Sequence, residues 1–199
     1  MTLSTRTNER PCTVCERLYT VQSIGQRVCS PVCAGKSVKL AKKAERESIR
    51  ARKDAIKTLP QLKALAQKAF NRFIRSRDYY KPCISCGSAP GRPVLGGAAD
   101  AGHYRSVGSA PHLRFDEKNC HSQCKYCNRH LAGNHVAYRA GLLMRIGERH
   151  LDLLEADQCL RKYSREGLIE LARHYNAEAR ILESHNAKSF CMQMVEVAL

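Results

Sequence analysis

The chain has 199 residues, of which 34 are Lys or Arg and 18 are Asp or Glu, giving a formal net charge of +16. That length suits one domain, or a small one with appendages. With no Trp, 8 Tyr and 4 Phe the core must be thin enough to call for additional staples. The charge points to a polyanionic partner, because a basic surface gains free energy by releasing the counterions condensed on phosphate. No apolar run approaches the roughly 20 residues of a membrane span. The opening MTLSTRTNERPC lacks the apolar stretch of a secretory signal, so a reducing cytoplasm is expected and secretion is not. In that setting 11 cysteines favour metal over disulfides.

Residues 1–35 read as an N-terminal zinc knuckle. Cys12-x2-Cys15 and Cys29-x3-Cys33 supply four thiolates, and only Leu18, Tyr19, Val21, Ile24 and Val28 are present for a core, so the knuckle should be unfolded without its metal. Residues 36–59 read as a basic helical linker: from Lys36 to Lys57 there are nine basic and three acidic residues. Such a run is either a DNA-facing surface or a solvated spacer. Pro60 suits the first turn of a new helix, in which Leu62, Leu65, Ala66, Ala69, Phe70, Phe73 and Ile74 form an inward stripe. Its other face shows Lys63, Lys68, Arg72, Arg75 and Arg77, which could meet a phosphate backbone.

A second quartet follows, Cys83-x2-Cys86 with Cys124-x2-Cys127. Pairs of thiolates at this spacing reach one ion from tight turns, and four complete the tetrahedral shell that zinc favours; redox or disulfide chemistry is the competing use. Gly87 to Gly97 reads as a hairpin or loop, and Asp100 to Arg114 as a strand, a loop and a return. A short helix carrying Cys127 should stop at Gly133 and Asn134. From Val136 the chain reads as helices. Leu168, Leu171, Ala172, Tyr175, Ala179 and Leu182 keep a seven-residue rhythm, either an ordinary docked helix or a self-association face. Cys120, Cys159 and Cys191 are left over and read as small buried hydrophobes. The fold class expected is α+β and mostly helical.

The second quartet would gather polar residues in one place: Asp100, His103, Asn119 and His121 within it, Asn128 and His130 after it. Four thiolates leave zinc no open position, so that ion is structural and catalysis needs another centre. His103 as general base beside an oxygen-ligated Mg²⁺ or Mn²⁺ is a suitable one, with Asp100 and Asn128 as donors of the right type. Asp100 and His103 are three apart, so strict strand alternation puts them on opposite faces unless Gly102 permits a bulge.

Cys83-x2-Cys86, His103, Asn119 five residues before Cys124, and Cys124-x2-Cys127 followed at once by Asn128 resemble the HNH or His-Me finger nucleases. The strings PCISCG, DAGHYR, Leu113-Arg114-Phe115 with Asn119, QC-x2-CN, and GN-x3-YR followed by RIG are more specifically similar to the NinG (Rap) recombination endonuclease family of phage lambda. This resemblance spans about Phe70 to Gly147, and more loosely the knuckle and linker. It implies a zinc-stapled ββα-metal (HNH, treble-clef-like) core over residues 60–147, with C-terminal helices over 148–199. It also implies His103 as base, Asn119 orienting the His103 backbone, Asn128 as metal ligand, and Arg129 or His130 near the scissile phosphate. Where HNH enzymes place their first metal ligand this chain has Gly102, so Asp100, Asn128 and His130 are the candidate catalytic-metal set. The activity implied is metal-dependent hydrolysis of branched DNA, such as Holliday junctions and D-loops, at the nucleoid in the host cytoplasm.

Phosphate contacts are expected from Lys63, Lys68, Arg72, Arg75, Arg77, Arg105, Lys118, Lys125 and Arg129, with steep salt dependence. Candidate partners are DNA, a second copy of the chain joined through the C-terminal helices, and phage or host recombination proteins. The competing reading is a nonenzymatic zinc-dependent DNA-binding or transcription factor, in which His103 and Asn128 only complete a hydrogen-bond network. A third is a nuclease that cuts linear duplex instead.

Overall fold

The computed structural model describes residues 8–89 and 99–196, so the excursion expected over Gly87 to Gly97 lies outside the described residues from position 90 on. Among the described residues the chain is mixed helix and strand, with two small antiparallel sheets, and it forms two compact units, 1–57 and 58–199.

In the first unit β1 (Glu9–Pro11) pairs with β2 (Leu18–Thr20) across a turn that carries Cys12 and Cys15. Leu18 and Ile24, expected in the core, are 65% and 107% exposed, while Cys12 and Cys33 are buried. So few apolar groups cannot enclose a core, and Cys12 and Cys33 are the buried residues among those described in this unit, with Cys29 half-buried and Cys15 exposed. Helix α1 (Pro31–Ala55) begins with Pro31 in its first turn and with the Ser30 hydroxyl accepting from Cys33 N–H, which satisfies one of the orphan donors of the helix start. Cys33 therefore belongs to the basic helix, of which it is the buried residue.

The second unit starts at a capping box, Thr58 with Gln61, that opens α2 (Leu59–Arg77). The inward stripe is buried as expected, except for Leu65. It packs against α5 (Arg165–Glu196), where Leu168, Tyr175 and Ala179 are buried in the same cluster. The seven-residue rhythm of α5 is thus used within the chain. A fully buried leucine such as Leu168 contributes roughly 1.5–3 kcal/mol. A second cluster joins Ile84, Ala110 and Leu113 to Tyr138 and Leu142 of α3 (His135–Ile146) and to Leu151 and Leu154 of α4 (Glu148–Ala156). A Cβ on Gly141 would collide with the Ile84 carbonyl oxygen, so glycine sets how closely α3 approaches. Cys120 is buried as expected; Cys159 is exposed, and the side chain of Cys191 lies outside the described residues.

Between the clusters lies a hairpin of β3 (Ala99–His103) and β4 (Cys120–Cys124), in unbroken register from Ala99 opposite Cys124 to His103 opposite Cys120. The return strand comes later than the expected Arg114, because the connection holds a 3₁₀ turn (Pro111–Leu113). Alternation sends His103 toward Phe70 of α2, with ring centroids 6.0 Å apart. The opposite face meets α3, where the Tyr138 hydroxyl donates to the Gly102 carbonyl at 2.8 Å. After β4 a single wide helical turn, Tyr126–His130, carries Cys127 and Asn128.

Asp78, at the end of α2, fastens the hairpin from the side. Its buried carboxylate accepts from Ser122 N–H at 3.0 Å and meets Arg77 at 2.8 Å, Lys81 at 3.0 Å and Arg145 of α3 at 3.6 Å. Burial raises its pKa, but His121 at 3.5 Å, Arg77 and the Ser122 N–H outweigh this and hold the carboxyl far below its ordinary range. His121 lies in β4, buried, with Nδ1 accepting from Arg77 at 3.0 Å and Nε2 donating to the Lys118 carbonyl at 3.1 Å, so it is a neutral structural pin. We predict that Asp78→Asn costs about 3–5 kcal/mol, because it leaves buried cations uncompensated. Urea unfolding of the zinc-loaded chain at pH 7 checks this, and a loss under about 1 kcal/mol would count against the role assigned to Asp78.

Candidate functional site

Each cysteine quartet brings four Sγ atoms within 4.8 Å of one another. Zn–S bonds of 2.3 Å in a tetrahedron put sulfurs about 3.8 Å apart. The Cys15–Cys29, Cys29–Cys33 and Cys86–Cys124 pairs lie at 3.6, 3.7 and 3.8 Å. Backbone N–H groups point at the sulfurs of the second group, from Cys124 to Cys83 Sγ at 3.3 Å and from Cys127 to Cys124 Sγ at 3.4 Å, as thiolates bound to a cation require. The donor sets therefore fit one structural zinc ion each: Cys12, Cys15, Cys29 and Cys33, then Cys83, Cys86, Cys124 and Cys127.

His103 ends β3. Its Nε2 lies 3.0 Å from the Arg114 carbonyl oxygen, and a carbonyl only accepts, so Nε2 carries the hydrogen and Nδ1 keeps its lone pair. The neighbour of Nδ1 is the Cys120 sulfur at 3.7 Å, a buried thiol whose pKa burial raises, so it stays protonated. Burial pushes the imidazole below its ordinary pKa; the hydrogen bond to the carbonyl opposes this and the Arg114 guanidinium adds to it. The result is a neutral ring fixed in one tautomer. Asn119, fully buried, accepts from Arg105 N–H at 2.8 Å and donates to the carbonyls of Arg105 and Leu113 at 3.0 and 3.2 Å. It thus fastens the backbone two residues beyond His103, rather than that of His103 itself, together with the segment that supplies the Arg114 carbonyl.

On the other face Asp100 accepts from Asn128 Nδ2 at 3.0 Å and from the Arg129 guanidinium at 2.7 and 2.8 Å. Arg129 holds the Asp100 carboxyl below the usual carboxylate range. The register has no bulge at Gly102, so Asp100 and His103 remain on opposite faces. A Cβ at Gly102 would collide with the Gln123 amide, which fills that space. His130 stacks on Tyr126, centroids 5.7 Å apart, and has no hydrogen bond to Asp100 or Asn128. The structure thus joins Asp100 to Asn128, and leaves His103 and His130 apart from that pair.

The basic residues also divide. Lys63, Lys68, Arg75, Lys118 and Arg129 are exposed. Arg72 pairs with Glu183 of α5 at 2.5 Å. Arg77 faces inward, donating to Asp78 and to the carbonyls of Glu117 and Cys120. Arg105 donates to the carbonyls of Leu154, Glu155 and Asp157. Arg77 and Arg105 are therefore corrected from phosphate contacts to structural ties. The carbonyl of Arg114 went unassigned because a backbone contact leaves no mark in residue type. We predict two zinc ions per purified chain by elemental analysis, and one after Cys124→Ala, with a lower thermal midpoint. Two ions retained in that variant would contradict the assignment.

The family described as Bacteriophage Lambda NinG protein matches residues 4–185. The protein ninG of Salmonella phage P22 is 36% identical over 180 residues, covering 81% of this chain and 86% of that protein. The protein ninG of Escherichia phage lambda is 35% identical over the same coverage. The protein ninG of Escherichia phage 933W is 37% identical over 144 residues, covering 72% and 69%. No solved structure matches significantly. A match over most of the chain, with relatives at this identity, establishes that the chain belongs to the bacteriophage lambda NinG family.

Proposed function

We propose that the chain is a structure-selective DNA endonuclease of phage recombination, hydrolysing phosphodiester bonds in branched DNA such as Holliday junctions and D-loops. The observation that supports this most is the state of His103: a neutral imidazole held by the Arg114 carbonyl through Nε2–H, with Nδ1 unprotonated and bonded only weakly, to the Cys120 thiol at 3.7 Å. A ring held in this way can act as a general base. In the reaction Nδ1 takes a proton from water, the water oxygen bonds to phosphorus, one P–O ester bond breaks, and the leaving oxygen is protonated from solvent. The Arg114 carbonyl and Asn119 hold the ring and the hairpin end, so the base would be positioned before DNA arrives.

Asp100 and Asn128 are the residues that would hold Mg²⁺ or Mn²⁺; they are hydrogen-bonded to each other, carry oxygen donors, and already attract a cation in the form of Arg129. Such an ion supplies Lewis-acid stabilisation of charge on the phosphate. In this reading the hairpin with the Tyr126–His130 turn is the ββα element of an HNH nuclease. The exposed Lys63, Lys68, Arg75 and Lys118 would position DNA without reading its sequence. Cutting a four-way junction on both sides of its branch takes two sites, so a homodimer is part of the proposal.

One observation favours the binding-only reading: Asp100 is already taken up by Arg129 and Asn128, and His103 lies on the other face. A labelled four-way junction incubated with Mg²⁺ or EDTA separates the two readings. Wild type should cut near the branch only with Mg²⁺, and His103→Ala should keep the gel shift while losing cleavage by at least about 100-fold. A shift without cuts from wild type, in Mg²⁺ and in Mn²⁺, would establish the binding module instead.

A further inference from the structure

The arginines around the hairpin are mostly neutralised by carboxylates: Arg72 by Glu183, Arg77 and Arg145 by Asp78, Arg129 by Asp100, and Arg139 by Glu155. Arg105 has backbone carbonyls as acceptors instead, and Arg114 is different again. Half-buried beside the base, it makes no ion pair among the described residues, and its guanidinium donates to a neutral acceptor, Gln67 Oε1, at 3.1 Å. Gln67 is itself oriented, because its Nε2 donates to Asn71 Oδ1 at 2.7 Å, one turn further along α2. The amide therefore aims the guanidinium without cancelling its charge. Five N–H donors in a fixed plane leave several hydrogens for another acceptor, and that geometry matches two oxygens of one phosphate.

The backbone of the same residue accepts from His103 Nε2. Base and guanidinium thus share one residue, and the positive charge is close enough to act on the imidazole. A cation left uncompensated beside a proton acceptor calls for an anion that arrives with the substrate.

We propose that Arg114 is a further catalytic residue: its guanidinium binds the phosphate to be cut through the non-bridging oxygens, while its carbonyl holds the base, so one residue sets the distance between base and target. This rests on the nuclease reading above. Because the carbonyl survives any substitution, Arg114→Gln removes the guanidinium and leaves the hydrogen bond to His103 in place.

The test uses the full-length zinc-loaded chain, as wild type, Arg114→Gln and Arg114→Lys, on a labelled four-way junction. Binding is read across a salt series in EDTA, and single-turnover cleavage in Mg²⁺. Arg114→Gln should cleave about 100- to 1,000-fold more slowly. Its salt dependence of binding should drop by about 0.9 in slope, the value of one phosphate contact. Arg114→Lys should recover at least ten-fold of the lost rate, which a purely structural role does not explain. If wild type cuts and Arg114→Gln cuts within about three-fold of it, Arg114 has no such role and the nuclease reading stands. If wild type binds without cutting, the nuclease reading falls and the inference with it. Zinc content and thermal midpoint, measured on each variant, identify misfolding; if Arg114→Gln misfolds, a folded Arg114→Lys at wild-type rate supports the role and one as slow as His103→Ala contradicts it.

Discussion

A two-stranded hairpin of five-residue strands does not stand alone in water, and everything proposed for this chain depends on one that does. It is fastened at three places. The second cysteine quartet ties the Cys124 end of β4 to the Cys83–Cys86 turn. Asp78 grips the middle through Ser122 N–H, with Arg77, Lys81 and Arg145 gathered around it. Asn119 closes the far end, where β3 leaves for the loop. A cysteine quartet fit for zinc, a buried carboxylate and a buried amide thus replace the large core that a chain without tryptophan and with few aromatics does not provide.

The fastening decides the chemistry. A hairpin in unbroken register has two faces, and a shift of one residue would exchange them. One face carries His103 against Phe70, with the Arg114 carbonyl holding its ring. The other carries Asp100, joined to Asn128 and Arg129 on the turn that follows Cys127. His103 and the oxygen donors are therefore set by different neighbours, α2 for the one and the turn that carries Cys127 for the other.

Much of this was legible in the sequence, because some signals are local and some are not. The cysteine spacings state which thiols share an ion, and the stripe of α2 states which face is buried; both follow from geometry within a few residues. The opposite-face relation of Asp100 and His103 was likewise readable from strand alternation. What residue type does not carry is which distant group answers a given charge. Arg77 looked like part of a phosphate-binding face, but Asp78 and the carbonyls of Glu117 and Cys120 turn it inward. Arg105 is taken by carbonyls some 50 residues away. Leu18 and Ile24 looked like a core and are exposed, since a knuckle of that size buries little beyond Cys12 and Cys33.

The protonation state of His103 tests most directly whether the hairpin presents a base. Long-range ¹H–¹⁵N correlation spectra of the zinc-loaded chain, assigned by comparison with His103→Ala, report which ring nitrogen carries hydrogen and the pH at which the ring charges. A neutral ring protonated on Nε2 at pH 7, charging only below the ordinary imidazole midpoint of about 6.5, is the expected result. A ring protonated on Nδ1, or an imidazolium persisting at pH 7, would contradict the positioned base.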